Sequence, residues 1–203
     1  MIIFASIIIT LIIVYLAPRY IKKEEMNLLS SCNDIDLNKI YTKSYFLGGA
    51  FIVAPQLLLS FGSFNWLYQA FFITLGIAAY FDIKRNWIPD PVIFITLIIN
   101  FLSIISTQNV DFSSALSNSL IFILPYCLLN ALAFIAVKKY IFFSGDIYII
   151  ISISFSTFPM VGFITTTLAI FSALLFMLIS KKREIPFIPF LFFSFLVSNL
   201  VVN

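Results

Sequence analysis

The chain contains no histidine. That excludes Ser-His triads, HExxH zinc sites and histidine-ligated haem in one step. Cysteine is nearly absent as well, with Cys32 in a polar stretch and Cys127 inside an apolar run. These supply neither a disulfide framework nor a CxxC zinc site, so no metal is expected, and Cys127 reads as packing. Charge is scarce, at 10% of 203 residues. A nucleic-acid interface needs a basic patch in polar surroundings. The basic residues here flank apolar runs, so no nucleic-acid partner is expected. What fills the chain instead is apolar, 62% of all residues. Soluble domains are roughly half apolar and about a quarter charged. The chain therefore reads as an all-α, polytopic integral membrane protein, with residues 1–203 forming a single membrane-embedded domain.

About eight runs approach the roughly 20 apolar residues that cross a bilayer as a helix. They cover about 2–17, 45–61, 64–81, 89–106, 115–137, 143–159, 161–179 and 185–201. The first lacks a basic leader and a small-residue cleavage site, so it is expected to be a retained helix. Pro55 and Pro125 fall inside runs, where neighbouring helices re-satisfy the freed backbone groups. Phe61-Gly62-Ser63 marks one turn, and Pro159 with Gly162 marks another.

All the basic residues fall in alternate loops. The first polar loop holds Arg19, Lys22, Lys23, Lys39 and Lys43, and the loop after the third run holds Lys84 and Arg85. Lys138 and Lys139 follow the fifth run, and Lys181, Lys182 and Arg183 follow the seventh. The loops between these, at about 62–63, 107–114 and 159–162, contain no Lys or Arg. The positive-inside rule then predicts both termini outside and the four basic loops in the cytoplasm.

The same topology places two carboxylates at one depth. Asp82 ends the third run and Asp146 begins the sixth, both near the cytoplasmic face. Asp82 fits a polar residue closing a helix as well as it fits a reacting group. An anion at a helix C-terminus is disfavoured by the macrodipole, which suits an acid more than a cap. Asp146 fits a helix start, where aspartate is welcome. Yet ionisable residues inside apolar runs are rare and usually face a partner or a wet cavity. Ser144 and Gly145 before it would also let another helix come close. Asp90, just before Pro91, reads as a helix N-cap. Asp111 lies in an external loop, and Glu24, Glu25, Asp34 and Asp36 read as solvated charge.

Two carboxylates suffice for peptide hydrolysis. One takes a proton from water while the other protonates the departing group, and sharing one proton keeps the pair poised for both. The helix-end argument gives Asp82 the proton and leaves Asp146 ionised in the resting state.

At this point the residues resemble a known family. FDIKRNWIPD, Phe81 to Asp90, is similar to the first signature of the type IV prepilin peptidases, an aspartate followed by Ile-Pro-Asp. FSGD, Phe143 to Asp146, resembles their second, GxGD, shared with presenilin-like intramembrane aspartyl proteases. IPFIPFL, Ile185 to Leu191, looks like their Pro-Phe-Gly-Pro-Phe-Leu stretch entering the last helix. VYLAPRY, Val14 to Tyr20, is similar to a segment after their first helix. The resemblance runs in order over nearly the whole chain. It departs at Phe143, where the family has the first glycine of GxGD, at Tyr148, usually lysine, and at Ile188, usually glycine. The first loop also lacks the paired CxxC motifs of most bacterial members.

The resemblance implies a peptidase of the bacterial inner membrane, multi-pass, with Asp82 and Asp146 as its catalytic pair. Its substrate would be a type IV prepilin or pseudopilin of a pilus or type II secretion system. The leader would be cut at the cytoplasmic face, next to membrane lipid. Proteolysis needs no cofactor. S-adenosylmethionine enters only if methylation of the new N-terminus is retained. Two other readings stand beside this one: a small transporter with proton- or cation-coupling aspartates, and a non-catalytic membrane component of a pilus or secretion assembly.

Overall fold

The structure is a computed structural model that describes residues 12, 15, 16, 19, 49–60, 65–106, 112–181 and 185–202. Expectations for Lys22, Lys23, Glu24, Glu25, Cys32, Asp34, Asp36, Lys39, Lys43, Gly62, Asp111, Lys182 and Arg183 lie outside the described residues, as does most of the first expected span. The described chain holds seven α-helices and no strand. They are α1 (Ala54–Ser60), α2 (Trp66–Arg85), α3 (Asp90–Ser106), α4 (Phe112–Val137), α5 (Ser144–Ser154), α6 (Pro159–Ser180) and α7 (Ile188–Val202). A π-helical turn, Gly49–Val53, leads into α1.

Each apolar run from the second onward overlaps one of these helices, several of which reach a few residues beyond it. Three stretches, Trp66–Arg85, Ser113–Val137 and Pro159–Ser180, are long and apolar enough to cross a membrane. The others are shorter. The sixth run departs most from expectation, because its helix stops at Ser154 rather than near residue 159. At about 1.5 Å per residue, 11 residues reach only about 16 Å. Local chemistry ends the helix. The amides of Ser156 and Thr157 turn back to the carbonyls of Ile153 and Ser154, at 3.0 and 3.3 Å. The Thr157 hydroxyl donates to the Ile153 carbonyl at 2.6 Å. Pro159 then holds Phe158 extended (φ −73°, ψ 152°), which a helix cannot pass through.

The helices pack in a closed order, α2 on α3, α3 on α5, α5 on α4, α4 on α6, α6 on α7 and α7 on α2, with α1 lying against α2. Helices α2 and α7 form the aromatic centre. Phe72 and Phe195 stack with ring centroids 5.2 Å apart, and Phe71 and Phe192 close around them. Helix α4 is the opposite case, exposed along most of its length, as an apolar helix facing lipid would be. Cys127, expected to pack, lies exposed on it, because the apolar residues around it in α4 did not say which face turns inward.

One glycine sets how close α1 comes. Pro55 has no N–H to give the Phe51 carbonyl four residues earlier. That carbonyl instead faces Gly76 of α2, where an added Cβ would stand 2.2 Å from the oxygen.

The three long helices end alike. Asn86, Lys138 and Lys181 each take a left-handed conformation, with φ of 49°, 56° and 53°. Each closes its helix by donating its amide to the carbonyl four residues back. Short links then lead into α3, α5 and α7. This end of the molecule carries Lys84, Arg85, Lys138, Lys139 and Lys181, and it is called the basic end below.

Candidate active site

Asp82 lies in the last turn of α2, and its own carbonyl accepts the Asn86 amide at 2.7 Å. Although lysine and arginine follow it, its side chain turns inward and is only 4% exposed. The carboxylate Oδ2 accepts the backbone N–H of Ile188 at 2.9 Å. The Phe187 amide lies within reach as well. These amides are available because they stand at the unpaired start of α7, between Pro186 and Pro189, which have no N–H of their own. Asp82 thus sits at the C-terminus of one helix and the N-terminus of another. The second dipole favours an anion where the first disfavours it.

Asp146 is the third residue of α5 and 8% exposed. Its Oδ2 accepts the Phe143 N–H at 2.9 Å, three residues back. This is one half of a capping box. Phe143 has no side-chain acceptor with which to return the other half. Phe143 is itself extended (φ −75°, ψ 168°) and exposed. That backbone does not require the glycine that stands in GxGD.

The two carboxylates are close enough for Asp82 to feel the charge of Asp146. Aromatic packing ties their mounts together. The Phe187 ring, just before the amide that holds Asp82, lies 4.7 Å from the Phe142 ring, just before the amide that holds Asp146. Tyr126 of α4 packs on both, with centroids 5.5 and 5.9 Å away.

Two residues depart from expectation. Asp90 is exposed in the first turn of α3. The cap position belongs to Pro89, whose carbonyl accepts the amides of Val92 and Ile93 at 2.9 and 3.3 Å. Asp90 therefore complements the helix dipole from inside the turn. Gly145 does not mark a forced close approach, because an added Cβ would meet only Ile93 Cδ1, at 3.9 Å.

Sequence reasoning missed two contributors. One is the pair of amides at Phe187 and Ile188, whose signal was the doubled proline of IPFIPFL. The other is Asn130, half-buried in α4. Its Oδ1 accepts the amides of Ile141 and Phe142 at 2.9 and 2.8 Å, and its Nδ2 donates to the Phe142 carbonyl at 3.0 Å. An asparagine in the apolar second half of the helix was the available sign.

Chemically, the arrangement offers two buried carboxylates in electrostatic contact, each steadied through one oxygen by a backbone amide. No family model matches the chain, and neither a curated protein nor a solved structure matches it.

Proposed function

We propose that the chain is an intramembrane aspartyl endopeptidase that removes the leader of type IV prepilins or pseudopilins. The observation that carries this reading is the meeting of Asp82 and Asp146. They come from separate helices, are buried, with Asp82 in reach of the Asp146 charge, and stand at the basic end of an apolar bundle. The resemblance of FDIKRNWIPD, FSGD and IPFIPFL to the prepilin peptidases points to the same pair. It gains weight because the third segment supplies the amide that holds the first aspartate.

In this reading the protein is a multi-pass protein of the bacterial inner membrane, with its basic end and four basic loops in the cytoplasm. A prepilin presents a basic leader joined to an apolar helix. The helix lies in the bilayer beside the enzyme, the leader stays outside it, and the junction reaches the depth of the aspartates. One carboxylate removes a proton from a water as that oxygen bonds to the scissile carbonyl carbon. The other donates its proton to the carbonyl oxygen, and the departing nitrogen is protonated as the C–N bond breaks. Only the singly protonated pair has both groups ready. Cleavage should therefore fall on both the acid and the alkaline side, with apparent pKa values that belong to the pair. Methyl transfer from S-adenosylmethionine would be a separate activity.

Co-expression with a candidate prepilin tests the reading. Asp82→Asn and Asp146→Asn are each expected to slow leader removal by about 10³-fold or more, with normal accumulation in the membrane. Processing at the wild-type rate by either variant would refute the pair, and it is what a non-catalytic assembly role predicts.

A further inference from the structure

We propose that Asn130 is the positioning residue that sets where the Asp146 carboxylate stands. This rests on reading Asp146 as one of the reacting pair.

The segment between α4 and α5, residues 138–143, has no regular hydrogen-bonding pattern of its own. It begins at Lys138, bent to positive φ, and must deliver Phe143 with its N–H aimed at Asp146. Something has to fix it. One planar amide does so, because an asparagine carries an acceptor with two lone pairs beside a two-proton donor. Asn130 Oδ1 takes both the Ile141 and the Phe142 N–H, and Nδ2 reaches the Phe142 carbonyl. The next peptide N–H in the chain is that of Phe143, which holds Asp146 Oδ2. Only one residue, Phe143, separates the clamped backbone from α5. A shift of the clamp is therefore passed on to the carboxylate.

The clamp also reaches the other carboxylate. Phe142, gripped by Asn130 through both its N–H and its C=O, lays its ring against Phe187. Phe187 leads directly into the Ile188 amide on Asp82. Asn130 touches neither carboxylate. Its effect runs through the backbone it holds, and misplacing a reacting group by about 1 Å can cost on the order of a hundredfold in rate.

The test uses the full chain in lipid vesicles with a prepilin substrate. Leader cleavage is measured alongside mass-spectrometric labelling of Asp146 and Asp82 by a hydrophobic carbodiimide. Asn130→Leu should lower kcat by about ten- to a hundredfold with KM nearly unchanged. It should also change Asp146 labelling relative to Asp82 several-fold. Asn130→Asp keeps the acceptor for the two amides but sets an oxygen against the Phe142 carbonyl, so it should recover only part of both. Asn199→Leu, which removes a buried asparagine bonded to Tyr68 and Phe195, serves as the control. It should lower thermal stability and leave kcat and labelling alone. If Asn130→Leu does not accumulate, Asn130→Ser is read in its place with the same expectation. Wild-type kcat and labelling in the Asn130 variant would overturn the proposal, as would changes no larger than those of Asn199→Leu at equal stability loss. If the wild type cleaves nothing, the reading of the pair fails. The labelling arm still decides whether Asn130 positions Asp146.

Discussion

Asp82 and Asp146 are both buried and each accepts a backbone N–H at 2.9 Å, with the Phe187 amide also within reach of Asp82, but their mounts are built differently. Asp146 is held from within its own first turn, by an amide three residues away. Asp82 is held by an amide 106 residues away, at the start of another helix. The first mount lies within one turn of α5, with the Asn130 clamp of α4 aiming its donor. The second exists only when α2 and α7 have packed. One carboxylate of the pair is therefore held by a donor close in sequence and the other by a distant one, and changes to the two mounts should have unequal consequences.

The largest expected effect comes from deleting the long-range amide. Ile188 is the first residue of α7, where proline is tolerated because the N–H has no partner inside the helix. Ile188→Pro therefore removes the 2.9 Å donor to Asp82, leaving the Phe187 amide within reach, while α7 still forms. Ile188→Ala, which loses side-chain bulk and keeps the amide, is the reference. A hydrogen bond to a charged group contributes about 1.5–3 kcal/mol. At about 1.4 kcal/mol per factor of ten, cleavage should fall roughly 10- to 100-fold relative to the alanine variant. Equal rates for the two variants would mean that the Ile188 amide is not what holds Asp82 for reaction.

Phe143→Pro is the matching change at the local mount, and its effect should be smaller. The φ of Phe143, −75°, is one that proline adopts, so the backbone is undisturbed. Asp146 stays in the first turn of α5, where the helix dipole still favours its charge once the amide is lost, whereas Asp82 also faces the C-terminus of its own helix. Relative to Phe143→Ala, cleavage should drop by about tenfold or less. A larger loss here than at Ile188 would reverse the comparison.

The same contrast explains what could be read before the structure. Apolar runs placed the helices, because a length of apolar sequence says where a helix lies. The segregation of lysine and arginine put Asp82 and Asp146 near one end of the molecule. The local mount was half legible, since aspartate in a first helical turn is a known pattern. The Ile188 amide was not, because a run of apolar residues does not say which helix its neighbour will be. For the same reason the exposure of Cys127 and the grip of Asn130 on the Phe142 backbone had to come from packing. The short length of α5 was missed because Ser152, Ser154, Ser156 and Thr157 interrupt an apolar run too weakly to show. Of these, the Ser154 and Thr157 hydroxyls bond back to the Ile151 and Ile153 carbonyls where the helix ends, with Pro159 beyond them.

The smallest effect separates two glycines, one on each aspartate's helix. Gly76 lies on α2, whose placement the long-range mount depends on. A methyl there would stand 2.2 Å from the Phe51 carbonyl oxygen. That atom belongs to the backbone of the π-helical turn and cannot swing aside. Gly76→Ala should therefore push α1 and α2 apart and cost about 1–3 kcal/mol, read as a lower unfolding temperature. Gly145 lies directly before Asp146, and a methyl there meets only Ile93 Cδ1, at an ordinary contact distance of 3.9 Å. Alanine is also the better helix former, by about 1 kcal/mol within a helix. Gly145→Ala should leave the unfolding temperature the same or slightly higher, although it changes a glycine of the FSGD segment. If it abolished cleavage without loss of stability, space at residue 145 would be needed by substrate rather than by the fold, and the mount of Asp146 would be less self-contained than its single hydrogen bond implies.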